Sequence, residues 1–289
     1  MIPSDRPGLR GPRAALLFLA MALGAGTPAQ DEKVEATPKT GEPGEGWLPV
    51  LQRHAKEYEI VADGPGGKTA AAMRPDPLMR WTQPVRGGDD GILCLWVDGG
   101  RPVVAMTIFT FKGNDGRRNV VHEHQSLSAL LLEGTWNGRS MWQTTGPGIT
   151  FAPVPDAPPP ADTPAARLRQ MQAIARDVSA NTIDNKGSTW PLRALVKPLY
   201  RYEVADGGLF ALVQGNDPEA FLLLESRVDG NTELWYYGVA RLTDLRLRVR
   251  LKGREVYSVP YTTGDEQGPY QTKIAISKAS DAPEDFLGP

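Results

Sequence analysis

From Trp47 the positions Leu48, Leu51, Ala55 and Tyr58 recur at helical spacing, which predicts an amphipathic helix with one buried face. After it the apolar period changes to two and stays there. Strands are expected at Gly91 to Val97, Pro102 to Phe111, Asn119 to Ser126, Leu130 to Trp136 and Arg139 to Gln143. Asp98-Gly99-Gly100 and Asn137-Gly138 punctuate them with the positive φ angles that tight hairpins need. A proline-rich connector follows. Beyond it Leu168, Met171, Ile174, Ala175 and Val178 line one face of a second predicted helix, with Thr163 as its cap and Pro164 at its first position. More strands then run to about Val259. In the clearest, Leu245, Leu247, Val249 and Leu251 alternate with Arg246, Arg248, Arg250 and Lys252, the pattern of a half-buried antiparallel strand.

Several motifs recur in order. Pro77-Leu-Met-Arg-Trp81 returns as Pro198-Leu-Tyr-Arg-Tyr202, Gly91-Ile-Leu-Cys-Leu as Gly208-Leu-Phe-Ala-Leu, Pro102 as Pro218, and Gly138-Arg139 as Gly253-Arg254. The offsets are 121, 117, 116 and 115 residues, drifting one way as short loop deletions would make them. The expected fold is therefore α+β and mainly antiparallel, with two similar helix-plus-β-meander halves, 47–152 and 163–262, packed together. A connector, 153–162, joins them, and 263–289 is expected as a flexible tail. Trp81 should coincide with Tyr202, and Arg80 with Arg201.

The N-terminus reads differently. Arg6, Arg10 and Arg13 precede an uncharged run from Ala14 to Gly26 and then Thr27-Pro28-Ala29, the order of a cleavable signal peptide over residues 1–29. The run is shorter than the roughly 20 apolar residues of a membrane-spanning helix, and no later stretch is longer, so stable membrane insertion is not expected. Residues 30–46 have almost nothing to bury and read as a disordered linker. The chain carries a formal charge of −2, and the first 29 residues hold three arginines against Asp5, which leaves −4 after cleavage. That balance argues against nucleic acid as a partner. Cys94 has no second cysteine to pair with and reads as a small core hydrophobe.

Candidate chemistry is sparse. In a strand His122 and His124 point to one face, so both imidazoles could reach one divalent metal. Zinc or iron wants a third ligand, and the stretch after them has no carboxylate until Glu133, so histidines on a strand face are favoured over a metal and no cofactor is expected. The basic stripe at Arg246, Arg248, Arg250 and Lys252, with Arg241 and Arg254 nearby, suits an anionic envelope polymer or a charged outer face that guards the sheet. The tryptophans Trp81, Trp96, Trp136, Trp142, Trp190 and Trp235 fit the core better than a sugar-stacking platform. No G-x-S-x-G elbow, H-E-x-x-H or phosphate-binding glycine loop is present.

Trp81-Thr-Gln-Pro-Val-Arg-Gly87, His122-Glu123, Pro164-Ala-Ala-Arg-Leu-Arg-Gln-Met171, Leu199-Tyr-Arg-Tyr-Glu203, Leu209-Phe-Ala-Leu-Val-Gln-Gly215 with Asp217-Pro218-Glu219, and Gly253-Arg-Glu-Val-Tyr-Ser-Val-Pro260 resemble an uncharacterised family of exported planctomycete bacterial proteins. The resemblance implies an exported, periplasmic or extracellular protein and no assigned activity. Its second histidine stands one place later, where this chain has Gln125. The functional expectation is a noncatalytic binding or interaction module of the cell envelope, with an envelope polymer or another envelope protein as partner. The rival is a hydrolase or metal-dependent enzyme whose site lies in the groove between the halves.

Overall fold

The computed structural model describes residues 46–83, 87–264 and 268–287. The expected signal peptide and all but the last residue of the expected linker lie outside them. The first half comprises α1 (Trp47–Lys56), β1 (Tyr58–Gly64), β2 (Gly67–Met73), β3 (Met79–Gln83), β4 (Gly88–Asp98), β5 (Arg101–Lys112), β6 (Arg118–Ser126), β7 (Leu131–Trp136) and β8 (Arg139–Gln143). After β9 (Phe151–Pro153) the second half repeats the series. It runs through α2 (Pro164–Arg176), β10 (Val178–Ile183), β11 (Thr189–Ala194), β12 (Tyr200–Tyr202), β13 (Gly207–Gln214), β14 (Asp217–Asp229), β15 (Thr232–Arg241), β16 (Arg246–Leu251) and β17 (Arg254–Val259). A last strand, β18 (Tyr270–Lys278), and a 3-10 turn at Pro283–Phe286 follow.

The two sheets have the same strand order. One reads β18-β6-β5-β4-β2-β1-β7-β8, the other β9-β15-β14-β13-β11-β10-β16-β17, and β3 and β12 each pair with the strand at the matching place, β4 and β13. Neither is a plain meander, because β1 and β10 each sit between their hairpin partner and the strand that returns, β7 or β16. All ladders are antiparallel.

The outermost strands are exchanged. β9 follows the first half yet pairs with β15 of the second, and β18 follows the second half yet pairs with β6 of the first. The expectation of a flexible tail over 263–289 is thereby corrected. Alternation in Tyr270–Lys278 is weak as sequence, but the open edge of β6 gives its backbone groups partners, and Phe286 is fully buried in the first half's core.

Each sheet is apolar on both sides in its middle. Ile92, Cys94, Trp96 and Met106 pack with Leu51 and Ala55 of α1, and Phe210, Leu212 and Leu222 pack with Met171 and Ala175 of α2. The alternate residues Leu93, Leu95, Leu209, Ala211, Phe221 and Leu223 share a third cluster, which glues the two sheets together. Two buried faces explain why β4 and β13 read as continuous apolar runs. Both helices end earlier than their apolar stripes suggest: Tyr58 and Val178 open β1 and β10 instead, while still packing into the same cores. Thr163 caps α2 by accepting from the Ala166 amide.

One register expectation is off by a residue. Trp81 pairs with Gly91 and Tyr202 pairs with Gly207, so Gly91 is equivalent to Gly207, not Gly208. The remaining equivalences hold. Arg80 donates to Asp90 at 2.8 and 2.6 Å, and Arg201 donates to Asp206 at 2.6 Å, two ion pairs at matching places. The hairpins at Asn137-Gly138 and Lys252-Gly253 both carry two positive φ angles, as a type I′ turn requires.

Candidate functional site at the junction of the halves

His122 and His124 lie inside the first half, on the face of β6 turned toward α1, and both are fully buried. The chain's third histidine, His54 of α1, joins them. Its Nε2 lies 2.7 Å from the Phe286 carbonyl oxygen, its Nδ1 lies 2.9 Å from His122 Nε2, and His122 Nδ1 lies 2.8 Å from the Tyr58 hydroxyl. A carbonyl only accepts, so His54 donates from Nε2 and accepts at Nδ1. His122 must then donate from Nε2 and accept the Tyr58 proton at Nδ1. The chain of donors is fixed and every ring in it is neutral. Burial is the largest cause holding His54 and His122 below the ordinary histidine pKa, and it takes His124 to about 3.

Neither His54 nor His122 keeps a ring lone pair free for a cation. Among the described residues no group of three or more His, Cys, Asp or Glu is placed to hold a metal. Both nitrogens of His124 are unpartnered, and its ring stacks on Trp142 with centroids 5.3 Å apart. In the second half Ile174, Val178, Tyr237 and Val239 occupy the places of His54, Tyr58, His122 and His124, as the shared register shows. The cluster is therefore particular to the first half, and through His54 it ties the C-terminal turn to α1.

Glu123 points the other way, into the junction. With Trp81, Phe109, Glu219, Asp244 and Tyr270 it lines a cavity of about 130 Å³ between the halves. Glu123 receives hydrogen bonds from Tyr270 at 2.5 Å and Thr107 at 3.1 Å. Burial, with Glu219 and Asp244 adding to it, still pushes its carboxyl up to about 8.

The pseudo-symmetric counterpart of this cavity is larger, about 680 Å³, and differs in charge. Arg101, Val103, Leu130, Ile149, Phe151 and Arg227 are among its lining. Arg101 takes the place of Asp217, Val103 that of Glu219, and Phe151 that of Thr272. Behind the arginines sits Glu225, wholly buried. Arg227 donates to it through Nε and Nη2 at 2.8 and 2.6 Å, Tyr202 donates through its hydroxyl at 2.8 Å, and Arg101 forms an ion pair with it, Nη2 lying 2.8 Å away. Both guanidinium groups also rest on the Phe151 ring, 3.7 Å from its centroid for Arg227 and 5.3 Å for Arg101. The place of Glu225 in the first half is held by Phe109, which packs on Trp81 at 5.2 Å.

Sequence reasoning put the candidate cations on β16. Arg246, Arg248 and Arg250 do lie on the less buried face of that strand, whose other face, Leu247, Val249 and Leu251, is core. Arg241 is instead buried, donating to the carbonyls of Thr243, Leu245 and Pro260, so it is a structural clamp. Arg101, Arg227 and Glu225 were not singled out. Their only signal is that residues at repeat-equivalent positions, Arg101 and Asp217, carry opposite charge. Comparison with family models, with curated proteins and with solved structures gives no match to this chain.

Proposed function

We propose that the protein is a noncatalytic binding module of the cell envelope, exported by its N-terminal signal, and that it holds an anionic ligand in the arginine groove between its halves. One observation carries this reading. Arg101 and Arg227 are held in place by a single buried carboxylate, so two guanidinium groups face a ligand-sized groove already oriented. Of the five N–H donors on each, Glu225 engages only some. Thermal unfolding of the mature chain in acetate, inorganic phosphate or chloride at equal ionic strength tests the proposal. Oxyanions are expected to raise the melting temperature of the native protein and not that of Arg227→Gln. Equal melting temperatures in all three salts would sink it.

A hydrolase remains the second reading, and its supporting observation lies in the smaller cavity. A Glu123 carboxyl held near pKa 8 is protonated at neutral pH, as a general acid must be. Turnover of aryl glycosides or aryl esters that disappears in Glu123→Gln would favour it; no turnover leaves the binding module.

A further inference from the structure

We infer that the ligand of the arginine groove is a single amphiphile, an apolar body carrying one carboxylate or phosphate head. This rests on the binding reading above and narrows it. The charges decide against a polyanion. Two guanidinium groups face one Glu225 carboxylate, and Asp98, which accepts from Thr69 at 3.1 Å, adds a second negative charge to the lining. The formal charges of Arg101, Arg227, Glu225 and Asp98 then cancel. A polymer held by charge alone would find no excess here to hold it, whereas the oriented N–H forks still recognise one oxyanion by geometry. Most of the affinity must then come from apolar area removed from water, and that area is present.

Ala129 and Pro147 are exposed and Leu130 and Phe151 half-buried in the groove wall, and they supply this area, while Pro102, Val103 and Ile149 lie buried beneath as its packed floor. Nothing polar in this stretch would reward a sugar or a peptide backbone except Ser128, whose hydroxyl already accepts from the Leu130 amide at 3.0 Å, and the exposed Thr150. A volume near 680 Å³ falls within the roughly 300–1,000 Å³ of small-molecule sites. At the other junction Asp217 and Glu219 stand where Arg101 and Val103 stand here, so the described lining there turns carboxylates, not guanidinium groups, toward an anionic head.

Calorimetric titration of the mature protein with decanoate and decyl phosphate, each below its micellar concentration, tests this. Acetate, inorganic phosphate and decyltrimethylammonium serve as head-only and opposite-charge probes. One-to-one binding of decanoate or decyl phosphate is expected, at least a hundredfold tighter than the matching head alone and at least tenfold tighter than decyltrimethylammonium. Which of the two binds more tightly identifies the head. Arg227→Gln should weaken binding at least tenfold. Because that change also disturbs Glu225, Thr150→Trp is the second variant: it fills the groove from its exposed side, leaves the ionic cluster intact, and should abolish binding with an unchanged melting temperature. If acetate or phosphate binds as tightly as its decyl counterpart, the anion site stands and the amphiphile is wrong. Equal binding of decyltrimethylammonium overturns the arginine head site, and no binding by any probe overturns both.

Discussion

The indole of Trp81 occupies the space where a side chain of Gly91, its cross-strand partner, would stand, as the ring of Tyr202 does at Gly207 in the second half. An aromatic ring covering a strand glycine fills the space that a side chain would have taken, and both halves keep the device at the same point of the same sheet. Added methyl groups would sit 2.4 Å from Trp81 Cε2 and 2.1 Å from the Tyr202 ring.

Gly91→Ala and Gly207→Ala should therefore each destabilise the protein by about 1–3 kcal/mol, the usual cost of overpacking a filled core. Gly146→Ala, where a methyl group meets nothing within 4 Å, is the control and should change little. Denaturant unfolding of the three variants decides it; equal midpoints for all would mean that the rings swing aside freely.

Stability should peak between about pH 6.5 and 7. The folded pKa of His54, His122 and His124 lies below the unfolded value of 6.5, so the unfolded chain binds up to three more protons as the pH falls, and stability is lost on the acid side. Glu123 has the opposite sign: raised to about 8 from 4.5, it loses stability as pH rises through that window. Near pH 5 His122 and His124, still neutral in the folded chain, outweigh the one extra proton on Glu123, so the net difference is at least one proton, or about 1.4 kcal/mol per pH unit. Glu123→Gln removes the opposing group and should steepen the acid side by one proton, about 1.4 kcal/mol per pH unit. Unfolding midpoints from pH 8 to 5 that stay flat would contradict the neutral relay.

Glu225→Gln should cost about 1–3 kcal/mol, because two partly exposed guanidinium groups and a buried hydroxyl lose their charged acceptor. The first half shows the apolar alternative at the same place. Tyr202→Trp with Glu225→Phe, copying Trp81 and Phe109, should regain most of that loss, since Arg101 and Arg227 are about one-third exposed and can turn to water. Thermal melts of the single and double variants check this, and a double variant no better than Glu225→Gln would show that the ion pairs themselves are required.

Phe286→Ala should destabilise the whole protein by about 3–5 kcal/mol, as loss of a fully buried phenyl ring does. It is measured as one cooperative transition. A change under 0.5 kcal/mol would mean that the C-terminal turn is not part of the core, against its burial beside Trp47 and His54.

Cys94, buried between β4 and α1 with its thiol pushed up to about 12, should react with a thiol reagent only after denaturation. Rapid labelling of the native protein would contradict the burial of β4.

The α+β class, both helices, the main strands and the duplication follow from the chain itself, because periodicity and turn chemistry are local and are written in consecutive residues. Arg80 and Arg201, Trp81 and Tyr202, and Trp142 and Tyr257 fall at equivalent places since the two halves keep their motifs in order. Tertiary structure alone decided the rest. A strand carries no mark of the sheet it will join, so the exchange of β9 and β18 was not legible, and a short apolar-polar run ending in Phe286 read as a tail. The side of β6 that holds His122 and His124 was likewise undecidable, because a one-residue shift of register inverts the face. His54 lies 68 residues before His122, and Arg101 lies 124 residues before Glu225. No local spacing reports such pairs: His54 meets His122 because α1 packs on its own sheet, and Arg101 meets Glu225 because the two sheets pack on each other and bring β5 and β14 to one groove.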